Sequence, residues 1–294
     1  MSKSLLSLIG NTPLVKSRVL NTNPNVSLYF KMEGHNPGGS VKDRAAYNMI
    51  KTGFDNGDFT VNDKLIEATS GNTGIALAMI AGVYGLDIEL VMPENATKER
   101  VQTMRAYGAK VTLTSSDVGI EGARDYAESK VANEGYIMMN QFGNPNNWKA
   151  HYKTTGPEIW NDTEGKVTHF VSSMGTTGTI MGTSTYLKEK NHDVQIVGVQ
   201  PSDNASIPGI RKWPQEYLPK IFDAKKVDRI MEVNEIEAKT MARRLAKEEG
   251  IFSGMSSGGA ATVALRLAEE IEHGVIVSIV CDRGDRYLSS DLFD

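Results

Sequence analysis

Apolar and polar positions along the chain switch repeatedly between two periods. Leu28 and Phe30 alternate with Tyr29 and Lys31, which predicts a strand over 26–32. Ala45, Ala46, Met49 and Ile50 then recur at helical spacing over about 41–51. A buried strand is predicted at 64–68, and 75–84 is apolar almost all round, as in a helix covered on every side. Strands at 88–92, 110–114 and 136–139 alternate with helices at 98–107 and 120–133. Gly10, Asn11 and Pro13 break regular structure before the first strand.

The segment 141–152 is rich in Asn and contains Pro145, which predicts a crossing between domains. Pro157 suits the first turn of a helix ending near Glu164. Strands follow at 169–172, 195–200, 229–233 and 275–280. Helices are predicted to about Lys190 from the Gly175–Thr179 loop, at 235–249 and at 258–271. Between them, 201–225 is long and irregular and holds Pro208, Pro214 and Pro219. Residues 281–294 read as a polar tail. Strand and helix alternating at this spacing define an α/β fold built from parallel βαβ units.

Composition narrows the function. The 294 residues suffice for two domains, and 40% hydrophobic with 23% charged content is that of an ordinary soluble protein. A net charge of −4 argues against nucleic acid or a membrane surface as partner. No apolar run is long enough to span a bilayer and the start lacks a signal-peptide core. Cys281 is the single cysteine, which excludes an internal disulfide and fits a reducing compartment, the cytosol by default. His35, His151, His169, His192 and His273 are scattered and no C-x-x-C occurs, so no metal site is expected.

Chemistry concentrates in loops that follow strands and enter helices, where open α/β sheets bind ligands. The stretch 36–44 reads N-P-G-G-S-V-K-D-R. Ser40 is placed to accept a backbone N–H at the helix start, and Lys42 falls in the first turn, where a second cation is unfavourable. A solvated lysine paired with Asp43 is the simpler local reading; covalent use of the amine is the other. Gly175–Thr179, G-T-T-G-T, offers backbone N–H groups and hydroxyls at a helix N-terminus, as a phosphate cradle or a plain turn would. It is neither a P-loop nor G-x-G-x-x-G. Thr69–Gly74, T-S-G-N-T-G, suits a carboxylate or a structural cap, and 253–259, S-G-M-S-S-G-G, precedes another helix. A lysine with cradles for a phosphate and a carboxylate suits an amino-acid substrate and pyridoxal phosphate.

These motifs, in this order, resemble the cysteine synthase branch of the fold-type II pyridoxal-phosphate enzymes over nearly the whole chain. A-H-Y-K-T-T-G-P-E-I-W, S-S-M-G-T-T-G-T-I and C-D-R-G-D-R-Y-L-S resemble its B-type members. The resemblance implies two open, mostly parallel twisted sheets flanked by helices. A small domain, 35–143, is inserted in a larger one formed by 1–34 and 144–294, in a homodimer. It further implies that Lys42 holds pyridoxal 5'-phosphate as a Schiff base, that Asn72 bonds its 3'-oxygen, and that Gly175, Thr176, Thr177, Gly178 and Thr179 bind its phosphate. Ser256 would face the pyridine nitrogen, and Thr69, Ser70, Thr73 and Gln141 would hold the substrate carboxylate. Arg211, Cys281 and Asp282 would line the pocket of the second substrate. Gly38-Gly39 stands where Ala-Gly or Thr-Gly is expected, which should add flexibility.

The implied reaction is β-replacement: O-acetyl-L-serine loses acetate to give an aminoacrylate, and sulfide or thiosulfate adds to form L-cysteine or S-sulfocysteine. Two rivals remain. One is a serine or threonine dehydratase, from which Thr73 and the hydroxyl-rich G-T-T-G-T point away; the other is a non-catalytic module that keeps the cofactor cradle.

Overall fold

The structure is a computed structural model that describes residues 4–69 and 71–294. The expected strands form with small shifts. In chain order the elements are β1 (Leu14–Lys16), β2 (Val26–Met32), α1 (Lys42–Asn56), β3 (Lys64–Ala68), α2 (Asn72–Tyr84), β4 (Asp87–Pro93), α3 (Lys98–Ala106), β5 (Lys110–Thr114), α4 (Gly119–Glu134) and β6 (Ile137–Met138). They continue with α5 (Pro145–Lys153), α6 (Thr155–Asp162), β7 (His169–Ser173), α7 (Gly178–Lys190), β8 (Gln195–Pro201), β9 (Arg229–Val233), α8 (Glu235–Arg244), α9 (Met255–Glu270) and β10 (Gly274–Val280).

The strands make two sheets. One has six strands in the order β1-β2-β10-β7-β8-β9, parallel except for the edge pair β1–β2. The other has four parallel strands in the order β5-β4-β3-β6. Both faces of the larger sheet are covered at its central strands, and these show it residue by residue. Val171, Val197 and Ile276 pack with Val263 and Leu267 of α9, whereas their neighbours Phe170, Ile196 and Val277 pack with Ile180 and Leu187 of α7. Successive side chains of a strand point to opposite faces, so apolar runs here mean two covered faces. In the smaller sheet Leu65 and Leu90 join α2 in one cluster, and Ile66 and Val91 join α4 in another. Residues 73–81 of α2 are all buried, as the absence of a polar face predicted.

Four differences from the sequence reading have local causes. The Asn-rich segment forms α5, because Asn144 accepts the N–H of Asn146 at 2.9 Å and Pro145 occupies the first turn. α2 and α9 begin three residues earlier than read, at Asn72 and Met255, so the polar loop residues belong to the helices. The last five residues of the helix read over 235–249 are π-helical rather than α-helical. The C-terminal segment is polar in composition but buries Tyr287 and Leu292. No helix among the described residues is long and apolar enough to cross a membrane.

Candidate active site

The loops after β3, β7 and β8 open on one cavity of about 710 Å³, a size that suits a small ligand. Lys42, Asn72, Thr73, Gln141, Gly175, Thr176 and Arg211 line it together. Residues 130 or more positions apart in the chain thus converge.

Lys42 opens α1, and the amide of Lys42 donates to Ser40 Oγ at 3.2 Å. The local reading that paired it with Asp43 does not hold. Asp43 is fully buried and its Oδ2 accepts the N–H of Gly38 at 2.5 Å, while its Oδ1 has no partner. Among the described residues the Lys42 amine makes no hydrogen bond or ion pair. Burial pushes the Asp43 carboxyl up to about 7, against the pull of the Gly38 N–H and the Arg286 charge. A Cβ on Gly38 would sit 2.6 Å from Asp43 Oδ1 and one on Gly39 2.6 Å from Arg286 Nη2. The two glycines thus allow Asp43 and Arg286 to pack closely against the loop.

Behind α1 lies a buried ionic cluster that holds the helix. Arg44 forks onto Glu33 (2.7 and 2.8 Å) and onto Glu158 (2.6 and 2.7 Å), and also donates to Thr12 Oγ1 at 3.1 Å. Lys31 joins Glu158 at 2.9 Å, Asp162 at 3.0 Å and the carbonyl of Thr12 at 2.7 Å. Burial raises Glu33, but the Arg44 charge and hydrogen bonds outweigh it and hold the carboxyl down at about 2. His151 is held neutral, mainly by burial and then by Arg44, with its pKa lowered to about 3.

The loop between β7 and α7 is shaped for an anion. Thr177 is in the left-handed region (φ 69°), a strained conformation for a β-branched residue. Its Oγ1 is buried without a partner at the N-terminus of α7. Gly178 has no room for a side chain: a Cβ would lie 1.9 Å from Asn147 Oδ1. Thr176 Oγ1 accepts from Asn147 Nδ2 at 3.0 Å, and Thr179 Oγ1 lies 3.4 Å from His151 Nε2. Trp213 Nε1 donates to the Gly175 carbonyl at 2.8 Å.

Opposite, Thr69 Oγ1 accepts the N–H groups of Gly71 (3.1 Å) and Gly74 (3.0 Å), fixing the turn into α2. Thr73 Oγ1 donates to Gln141 Oε1 at 2.8 Å, and Gln141 Nε2 donates to the Ala68 carbonyl at 2.7 Å. Ser70 lies outside the described residues. Ser256 is buried, and its carbonyl accepts from Ser173 Oγ at 2.7 Å. Arg211 is exposed on the cavity wall, its backbone N–H bound to the Met174 carbonyl at 2.8 Å. Cys281 lies near Lys42 and Ser256; burial pushes its thiol up to about 11 despite the lysine charge. Asp282 is buried rather than on the wall, and accepts from Asn72 Nδ2 at 2.6 Å and Tyr287 Oη at 2.6 Å. Arg286 and Trp213, which the sequence did not single out, bond site residues directly. Arg286 stands in the C-D-R-G-D-R-Y-L-S stretch, which was the available signal.

A lysine amine and, at a helix N-terminus, a buried hydroxyl, both without a partner among the described residues, together with the second helix N-terminus at Asn72 on the cavity, fit a phosphorylated aldehyde cofactor. The chain matches the family of pyridoxal-phosphate dependent enzymes over residues 5–282 and belongs to it. Within that family it is 56% identical to Cysteine synthase B of Pseudomonas aeruginosa over 292 residues, covering 99% of this chain and 97% of the relative. It is 53% identical to Cysteine synthase B of Escherichia coli over 291 residues, covering 99% and 96%. Among solved structures, an O-ureido-L-serine synthase superposes with TM-score 0.95 at 36% identity, covering 100% of this chain and 96% of that one. A cysteine synthase from Entamoeba histolytica gives TM-score 0.93 at 37% identity, covering 100% and 91%.

Proposed function

We infer that the chain replaces the acetoxy group of O-acetyl-L-serine with sulfur, giving acetate and L-cysteine from sulfide and, in the finer reading, S-sulfocysteine from thiosulfate. The observation that carries this is the Lys42 amine, without a partner among the described residues, in one cavity with Thr73, Gln141 and the Gly175–Thr176 wall. The identity to the cysteine synthases supports the choice of reaction. When bound, pyridoxal 5'-phosphate acts as an electron sink for negative charge at the substrate's α-carbon.

The residues divide the remaining work. Lys42 carries the cofactor and, once freed, takes and returns the α-proton through Nζ. Gly175, Thr176, Thr177, Gly178 and Thr179 hold the phosphate, with the Thr177 hydroxyl as a donor still free for it. Asn72 meets the ring oxygen, and Ser256 presents a neutral hydroxyl to the pyridine nitrogen. Thr69, Ser70, Thr73 and Gln141 orient the substrate carboxylate. Arg211, exposed at the cavity, attracts the anionic sulfur donor; Cys281, which is not among the cavity-lining residues, stays beside Lys42 and Ser256. Residues 35–143 form the small domain and the remainder the large one, in a cytoplasmic homodimer.

Acetate and L-cysteine should accumulate in equal amounts from O-acetylserine and sulfide; pyruvate released from serine alone would instead identify a dehydratase. Arg211→Ala should lower kcat/KM for thiosulfate by about tenfold more than for sulfide, the scale of one lost charged contact. Equal losses would remove Arg211 from donor recognition. Sedimentation of the purified protein should give twice the mass of one chain.

A further inference from the structure

The carboxamide of Asn72 is held at both ends by the segment that follows β10. Its Nδ2 donates to Asp282 Oδ2 at 2.6 Å, and its Oδ1 accepts from Arg286 Nη1 at 2.6 Å. These partners cannot exchange roles: a guanidinium only donates, and a carboxylate only accepts. The pair therefore decides which end of the amide is nitrogen. Each partner is anchored in turn. Asp282 also accepts the Tyr287 hydroxyl at 2.6 Å and the Gly254 N–H at 3.2 Å, and Arg286 Nη2 donates to the Gly38 carbonyl. Burial, and then the neighbouring Asp282, push the Tyr287 phenol upward, so it remains a donor. Asn72 starts α2 and lines the cavity beside Lys42, whereas Asp282 and Arg286 come from the opposite end of the chain.

We propose that Arg286 and Asp282 are positioning residues that lock the Asn72 carboxamide, so that the second hydrogen of Nδ2 is kept for the ring oxygen of the cofactor. An amide free to turn over would present its oxygen to that oxygen for part of the time, replacing attraction by repulsion. Asp282 then acts through Asn72 and does not meet the sulfur donor. Gly38 and Gly39 belong to the same device, because the guanidinium lies against them and a Cβ at Gly39 would fall 2.6 Å from Nη2. The proposal rests on the assignment of Asn72 to the cofactor.

The test is a double-mutant cycle on cofactor binding. Apoprotein of the wild type, Arg286→Met, Arg286→Lys, Asn72→Ala and the double variant Arg286→Met/Asn72→Ala is titrated with pyridoxal phosphate. Visible absorbance and intrinsic fluorescence are read at each addition. Arg286→Met should weaken binding about tenfold and move the visible band, as loss of a charge-assisted contact on the amide implies. Arg286→Lys should recover part of both. In the Asn72→Ala background Arg286→Met should change neither further. A full-sized effect of Arg286→Met without Asn72, or no effect with it, would overturn the proposal. If Arg286→Met does not fold by circular dichroism, Arg286→Lys alone and with Asn72→Ala completes the same cycle. Failure of the wild type to acquire absorbance would count against the cofactor assignment itself.

Discussion

Helix α1 divides two regions of opposite character. Behind it, Arg44, Glu33, Glu158, Lys31 and Asp162 exchange short hydrogen bonds, and Glu33 and Lys31 are wholly buried. On the other side, Asp43 Oδ1 and, at the start of α7, Thr177 Oγ1 are buried without partners, and among the described residues the half-buried Lys42 amine makes no hydrogen bond or ion pair. Folding has met the polar groups of the first region and left those of the second unmet. A buried polar group without a partner costs free energy, so the Thr177 hydroxyl, next to Thr176 on the cavity wall, marks a place where a ligand would complete the structure. The saturated side does the opposite work. It fixes the helix that carries the lysine, and its neutral His151 keeps an extra charge away from the site.

Substitutions on the two sides should therefore fail differently. The largest effect is expected at Lys42: if it has the proposed roles of attachment point and proton carrier, Lys42→Ala should lower the rate of acetate release by about 10³-fold or more. Its thermal midpoint should hardly move. Behind, Arg44→Met leaves the buried Glu33 without its cation and Glu158 with Lys31 alone, and should destabilise the fold by about 3–5 kcal/mol in denaturant titrations. The folded fraction should keep its cofactor affinity. A loss of affinity at unchanged stability would blur the division between the regions.

A smaller effect isolates the phosphate loop. Thr177→Val keeps the shape and removes the orphaned hydroxyl, so pyridoxal phosphate should bind about tenfold more weakly. Calorimetry of the apoprotein should show stability equal to or above the wild type, because no native hydrogen bond is lost. A separate test concerns pH. Asp43 has a folded-state pKa raised from 3.8 to about 7, so the folded state holds a proton that the unfolded state has released. That contribution is complete below pH 4 and is lost as pH rises to about 7. Wild type should therefore lose stability relative to Asp43→Asn across this window and run parallel to it above. Parallel curves throughout would mean that Asp43 titrates normally.

The sheets were legible because period-2 runs and βαβ spacing report burial directly. Strands 26–32, 64–68, 110–114 and 229–233 form over the residues read from the pattern. Helix starts were harder. Met255, Ser256 and Ser257 look like loop residues, yet they form the first turn of α9 and every one of them is buried. The site's loops were visible as glycine and hydroxyl clusters, but the partners within them were not. Nothing local told that Asp43 would turn to Gly38, or that Arg286 would reach Asn72 across 214 positions. Such contacts follow from how the C-terminal segment crosses the loops, a property of the packed chain.

The most direct test of the unmet side is chemical. Purified protein loaded with pyridoxal phosphate is reduced with borohydride, digested and mapped by mass spectrometry. A single phosphopyridoxyl adduct on Lys42, absent from Lys42→Ala, is the predicted result. Adducts spread over surface lysines, or none despite visible colour, would contradict it.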